Sequence, residues 1–416
     1  MLYSEKHLHI PTLLILTLLF LLGSVLTGCD LFGSSSDDDT DPGEIAWWHE
    51  HNQWHVYHTK PALSEQRAFF ASDGYVRAFD LDNGELVWKS DLLLGGDRPR
   101  FSSRKIISEE DIIYINSTDN VWAINKSTGG IRWHTKVPDF KYVNIAKMTE
   151  NDSHLFLGGA GEVVRLRKDD GTVDLRIEVD RLLHPDADEQ LAYDPEIFGD
   201  DMLVVPASYF FDGAEEIHGN VFAYDAHTGD LMWEHELPQK QMPQPNSSDS
   251  LTVGAGTKGL EISDEYVIVP YGVSVRALGR HTGEVIWDAD FGADGYAFHL
   301  GATIAYDRVY VGAGSHPLLA DPSVLSLDLH TGELLWATPT PGTMNTILTA
   351  RDDRVYFNNS LGNTMYVMDA FDGGVIWKRE APRELSSNDG FTSTVAVGED
   401  YMVVNGSDRV FAFTKP

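Results

Sequence analysis

A thirteen-residue unit that returns seven times without gaps constrains this chain more than any other feature. It spans Val76 to Trp88 (VRAFDLDNGELVW), Val121 to Trp133, Val163 to Leu175, Val221 to Trp233, Val275 to Trp287, Val324 to Trp336 and Met365 to Trp377. The ninth place is always glycine: Gly84, Gly129, Gly171, Gly229, Gly283, Gly332 and Gly373. Self-similarity at a period of about 40 to 60 residues calls for one array of like units rather than several unrelated domains.

Each unit reads as strand, tight turn, strand. Its opening residues are β-branched or aromatic, which suits a pleated and half-buried surface. The glycine falls where a hairpin needs positive φ, and Asp80, Asn125, Asp225, Asp328 or Asp369 is placed to accept backbone N–H groups across the turn. Further apolar runs precede most units, among them Ile112 to Ile115, Tyr266 to Val269 and Val355 to Phe357, and the remaining length leaves room for a fourth strand. Four short strands per period, with no amphipathic helix of useful length, predict an all-β fold of β-propeller blades.

The two ends complete the count. Val410 to Phe413 (VFAF) opens an eighth unit whose outer half lies beyond the last residue, while Gly43 to Trp47 (GEIAW) matches Gly84 to Trp88 (GELVW). The N-terminal segment is therefore expected to supply the outer strand of the last blade and to close an eight-bladed ring of four-stranded blades over residues 43–416. Closure protects the sheet edges.

Lys6 and His7 precede an apolar run from Pro11 to Leu22, followed by Gly23-Ser24-Val25 and then Leu26-Thr27-Gly28-Cys29. This order is that of a secretory signal, and the run is too short to span a membrane. The tetrad resembles a bacterial lipobox, and Cys29 is the only cysteine in the chain. The reading is a lipoprotein signal peptide over 1–28, lipidation at Cys29, and a Ser- and Asp-rich tether over 29–42 that lacks the apolar groups to order itself. Lysine and arginine number 31 against 64 acids, a formal charge of -33. A surface this negative repels phosphate backbones and excludes nucleic acid as a partner class.

The pattern Ala223-Tyr224-Asp225-Ala226-His227-Thr228-Gly229 through to Trp233 resembles the pyrroloquinoline-quinone-like propeller repeat. Within that superfamily, an eight-bladed lipoprotein with little beyond the ring is similar to the BamB family of outer-membrane protein assembly. The resemblance implies that Trp47, Trp88, Trp133, Trp233, Trp287, Trp336 and Trp377 lock neighbouring blades together. It also implies weaker locking where the repeat departs: Leu175 replaces Trp and Arg167 replaces Asp in blade three, and Gly279 replaces Asp in blade five.

The same resemblance raises a quinone-dependent oxidoreductase as an alternative, although the vicinal disulfide common there is impossible with one cysteine. No cofactor, metal site or catalytic residue is assigned. His49, His51, His55 and His58 form the one cluster with metal-ligand character, but polar residues on a solvated strand face are its ordinary account. Gly254, Gly256 and Gly259 match a dinucleotide fingerprint by spacing, but strand-like sequence follows them where a helix is required. His227, His281 and His330 read as turn residues.

The glycine turns share one face of the disc with the links from first to second strand. Long links (181–200, 208–219, 234–252, 288–300 and 378–392) crowd onto the opposite face, and rigidly mounted loops are where binding residues concentrate. Phe210, Phe211, Phe291, Tyr296, Phe298 and Phe391 are the expected anchors for an envelope protein partner, unless they pack loops onto the ring. The sequence thus reads as a lipid-anchored scaffold of the bacterial envelope, with the outer membrane favoured.

Overall fold

The computed structural model describes residues 41–51, 59–94, 101, 105–140, 148–179, 189–192, 194–210, 217–243, 250–257, 259–298, 300–315, 321–342, 347–359, 363–382 and 390–416. Cys29, the signal sequence and most of the tether lie outside them. No residue described is helical. The chain folds as an eight-bladed β-propeller of antiparallel, essentially four-stranded blades.

Blade one shows the plan: Ala62–Leu63 is innermost, followed outward by Arg67–Ser72, Tyr75–Asp80 and Leu86–Lys89. The eighth blade closes as expected. The N-terminal strand Ile45–Glu50 pairs antiparallel with Arg409–Thr414, with Trp47 opposite Ala412. Gly43 N–H donates to Thr414 O at 3.1 Å and His51 N–H to Asp408 O at 2.8 Å, extending the ladder at both ends.

The apolar residues form eight clusters, one at each blade interface, in place of a single core. The first joins blades one and two through Phe69, Val76, Ile113 and Ile115; the last joins blades eight and one through Val403, Ala412, Ala68 and Phe70. Each blade thus buries both sheet faces, which is why its central strands run continuously apolar rather than alternating.

The repeated tryptophan explains the repeated glycine. Every turn glycine has positive φ, from 67° at Gly283 to 83° at Gly43. A Cβ on Gly129 would sit 2.5 Å from the Trp88 ring, one on Gly332 2.5 Å from Trp287, and one on Gly84 2.6 Å from Trp47. Glycine is needed both for the backbone conformation and for the indole of the preceding blade to lie against it. The indole N–H completes the contact by donating to a carbonyl of the following blade: Trp47 to Leu81 at 2.8 Å, Trp88 to Lys126 at 2.9 Å, Trp133 to Lys168 at 2.9 Å, Trp233 to Arg280 at 2.7 Å and Trp287 to Leu329 at 2.9 Å. Trp336 donates to Ala370 at 3.2 Å, and Trp377 lies against Gly43.

Turn carboxylates act as expected. Asp225 Oδ1 accepts from the backbone N–H groups of His227 at 2.9 Å and Thr228 at 2.8 Å, and these bonds hold its carboxyl below the usual range. Blade five does without an acid: Thr282 Oγ1 occupies the space a Cβ on Gly279 would need and accepts from Glu284 N–H at 3.2 Å.

Candidate partner-binding face

Antiparallel order fixes which links share a face. Glycine turns and first-to-second links emerge on one side, while second-to-third links and blade-to-blade crossings emerge on the other. On that second face most second-to-third links are tight, as at Asp73-Gly74, where φ is 53° and 77°. Blade four breaks this economy. Its second and third strands, Met202–Phe210 and Ile217–Asp225, run nine residues each against six in blade one and stay paired to their far ends. They raise a hairpin above the disc, and Phe210 is its last described residue before the tip; Phe211 lies outside the described residues. Near the tip, Tyr209 stacks on His218 with ring centroids 5.0 Å apart.

A second hairpin stands beside it in the crossing to blade five, where Lys240–Pro243 pairs with Ser250–Val253. Its base is tied by charge. Lys240 Nζ donates to Asp288 Oδ2 at 2.6 Å and Asp290 Oδ2 at 3.2 Å, and Arg276 Nη2 donates to Asp288 Oδ2 at 2.9 Å. Burial works to raise the Asp288 carboxyl, but its bonds to Arg276 and Lys240 prevail and hold it below the ordinary range. His235, 3.0 Å from Arg276 Nη1, is pushed down by burial and by that guanidinium. The hairpin lies in a Gln- and Pro-rich stretch that reads as a plain link; its only sequence signal is Lys240-Gln-Met-Pro243 facing Ser250-Leu-Thr-Val253 across six residues.

Three expected anchors are packing residues instead. Phe291, Phe298 and Phe391 are 5%, 2% and 0% exposed. The segment after the outer strand of blade five folds back, with Phe291 N–H on Val273 O at 2.9 Å and Phe298 N–H on Gly272 O at 2.7 Å, which brings the two rings to 5.6 Å between blades five and six. Phe391 sits edge-on to Phe411 and Phe413, each at 5.9 Å, in the cluster between blades seven and eight. Tyr296 is half-buried, accepting from Ser323 Oγ at 3.5 Å. These two blade-to-blade segments are drawn into the grooves between blades, where the clusters offer apolar surface.

The histidine cluster divides likewise. His49 stacks on Phe79 at 4.5 Å and its Nε2 meets Gly84 O at 2.5 Å, while His51 is buried; His55 and His58 lie outside the described residues. Among the described residues, no three His, Cys, Asp or Glu side chains are grouped to hold a metal ion. The glycines of the GAGTKG stretch serve close approach: a Cβ on Gly254 would lie 2.9 Å from Ile217 N, and one on Gly256 2.8 Å from the Ile217 side chain. At the ring centre, Lys60 of blade one donates to Thr349 Oγ1 of blade seven at 3.2 Å. Burial first, and then neighbouring Lys105, push its pKa down to about 8.

A family description, outer membrane protein assembly factor BamB, matches residues 32–160 and 271–415. The chain is 22% identical to outer membrane protein assembly factor BamB of Yersinia pestis over 94% of its own length and 96% of that protein's. Among solved structures it is similar to BamB of Moraxella catarrhalis, with a TM-score of 0.63, 12% identity, and coverage of 89% of this chain and 99% of the other. It is also similar to a europium-containing methanol dehydrogenase, with a TM-score of 0.64, 11% identity, and coverage of 89% and 93%. At such identities these structures speak to the fold. The matched segments cover more than half of the chain, leaving 161–270 between them unmatched, and the chain belongs to the BamB family of outer-membrane protein assembly factors.

Proposed function

We propose that this chain is a lipid-anchored, non-catalytic scaffold that docks a protein of the outer-membrane assembly apparatus on its long-link face. The observation that carries the reading is the pair of raised hairpins at blades four and five. A propeller needs neither for stability, and both rise on the same side of the disc. The second is tied at its base by Lys240, Arg276, Asp288 and Asp290, and a tie of this kind lowers the ordering entropy that a partner's binding costs. Phe210, the last described residue of its strand, and Phe211, next in sequence, are the anchors; Tyr296 remains a lesser one. Membrane attachment comes through diacylation of Cys29, since two chains are needed for stable residence.

The test is capture of the barrel-assembly complex from envelope extracts. Phe211→Ala is expected to weaken capture about 30-fold, corresponding to the roughly 2 kcal/mol of an anchor residue. Glu85→Lys and Glu333→Lys, on the glycine-turn face, are expected to leave it unchanged. The opposite pattern sinks the face assignment. Cys29→Ala is expected to abolish incorporation of labelled fatty acid and release the protein from washed membranes.

A further inference from the structure

Blade three departs from the repeat at several places, and the departures converge. The residue before the second strand has one structural duty, offering its carbonyl to the N–H that follows the fifth place of the unit: Ala226 to Asp201 at 2.7 Å, Leu329 to Asp307 at 3.0 Å, Ala370 to Asp353 at 2.9 Å. Lys168 N–H to Ser153 O at 2.9 Å is the same bond. Other blades carry Gln66, Asp111, Asp201, Glu265, Asp307, Asp353 and Asp400 at this position; blade three alone has a hydroxyl. At the twelfth place of the unit, where blades four to seven show Met232, Ile286, Leu335 and Ile376, blade three has Asp174. At the third, where small residues predominate, it has Arg165.

These substituted residues are in contact. Ser153 Oγ lies 2.8 Å from His154 Nδ1, and His154 Nε2 lies 3.2 Å from Asp174 Oδ2. Arg165 Nε donates to Asp174 Oδ1 at 2.9 Å. Ionised carboxylates only accept, so Asp174 fixes the proton on Nε2 and leaves Nδ1 as the basic nitrogen toward the serine. Burial is the largest influence on Asp174 and opposes its ionisation, but the bonds and charges of Arg165 and His154 together outweigh it and hold the carboxyl below its ordinary range. Ser153, His154 and Asp174 line one cavity of about 550 Å³, together with Tyr114, Arg167 and Lys168. Exposure is graded: the serine is open, and the side chains of His154, Asp174 and Arg165 are 18%, 28% and 13% exposed.

We propose that Ser153 is an activated nucleophile that accepts an acyl group from a small carboxylic ester, with His154 as base and Asp174 as positioning residue. Ser153 Oγ forms a bond to the acyl carbon while its proton passes to His154 Nδ1. The ester C–O bond then breaks, and the departing alkoxide takes that proton. Water, deprotonated by the same nitrogen, releases the carboxylic acid and restores the serine. Arg167 and Lys168 line the cavity with their charges already paired, Arg167 to Asp169 and Lys168 to Glu109 and Glu150. This inference is separate from the scaffold reading, because the cavity opens on the glycine-turn face and its test contains no partner.

The full chain is incubated with a fluorophosphonate probe, which phosphonylates activated serines, and the adduct is located by peptide mass spectrometry. Labelling is expected at Ser153 and nowhere else. Ser153→Asp, which restores the residue type of the other blades, is expected to melt like the parent and to remain unlabelled. His154→Gln is expected to slow labelling at least 100-fold, the scale of general-base assistance. Asp174→Asn is expected to slow it and to move its pH midpoint, a change that loss of packing alone does not produce; the groups round His154 are Glu109, Asp152, Asp169, Asp174, Arg167 and Lys168. Absence of a Ser153 adduct under conditions that label a control serine hydrolase overturns the proposal. Equal labelling rates for the parent and a folded His154→Gln variant overturn it too.

Discussion

Blades three and five hold their neighbours by different chemistry at the same place. In blade five, Trp287 faces Ala277 across the sheet, lies on Gly332 of blade six and donates to Leu329 O. In blade three, Leu175 faces Arg165, and the guanidinium does the indole's work, with Nη1 donating to Ala226 O at 2.7 Å and to His227 O at 2.9 Å. Ala226 O is the structural equivalent of Leu329 O. A large donor has changed strands, and a smaller apolar residue has replaced the indole. The repeat therefore specifies a filled volume and one donor to the next blade, and in blade three Arg165 supplies the donor that Leu175 lacks. Packing is still looser there: a Cβ on Gly229 would lie 3.2 Å from Ile177 and 3.3 Å from Leu175, against 2.5 Å from Trp287 at Gly332.

The largest effect expected from breaking this comparison is at Trp287. Trp287→Ala removes a buried indole and orphans the Leu329 carbonyl, at a cost of about 3 to 5 kcal/mol; Leu175→Ala, at a site with less volume and no donor, is expected to cost about half as much. Denaturant midpoints of the two variants measure the difference. Equal losses mean that the indole has no special part in locking the blades.

A smaller effect sharpens the volume argument. Leu175→Trp alone places an indole against Arg165 and is expected to destabilise by about 1 to 3 kcal/mol through overpacking. Adding Arg165→Ala recreates the pair found in blade five and is expected to recover most of the loss. Coupling between contacting residues is what a double-mutant cycle reports. Simple additivity argues against interchange of the two arrangements.

The ring, the closing strand and the turn geometry were legible in the sequence because each depends on local spacing that recurs: a glycine with positive φ, an acceptor four residues before it, and a tryptophan four residues after. Arg165 was legible in principle, since Ala becomes Arg ten residues before Trp becomes Leu and those two positions face each other. Phe291, Phe298 and Phe391 were not. They sit in segments without periodicity, and whether such a segment projects or folds into an inter-blade groove depends on surface formed by distant strands. The Ser153–His154–Asp174 contact was hidden for a related reason, because its serine and histidine belong to one hairpin and its carboxylate to a strand twenty residues on.

The smallest expected effect is in the pH dependence of blade three. Asp174 is held below its ordinary range in the folded state, so folded protein binds its proton less readily than unfolded chain. Its contribution to stability is therefore full above the unfolded carboxylate pKa, about 3.9, and is lost as pH falls through the lower folded value. The parent and Asp174→Asn should differ most near neutrality and converge in acid, whereas the parent and Trp287→Ala should stay apart by a nearly constant amount down to the onset of acid unfolding. Arg165→Ala should shrink the pH-dependent part of the first difference, because it removes the largest of the contributions that together outweigh burial. If the gap between the parent and Asp174→Asn is unchanged from pH 7 to pH 3.5, then Asp174 packs in blade three without acting as a charge, and the ionic account of how that blade is held fails.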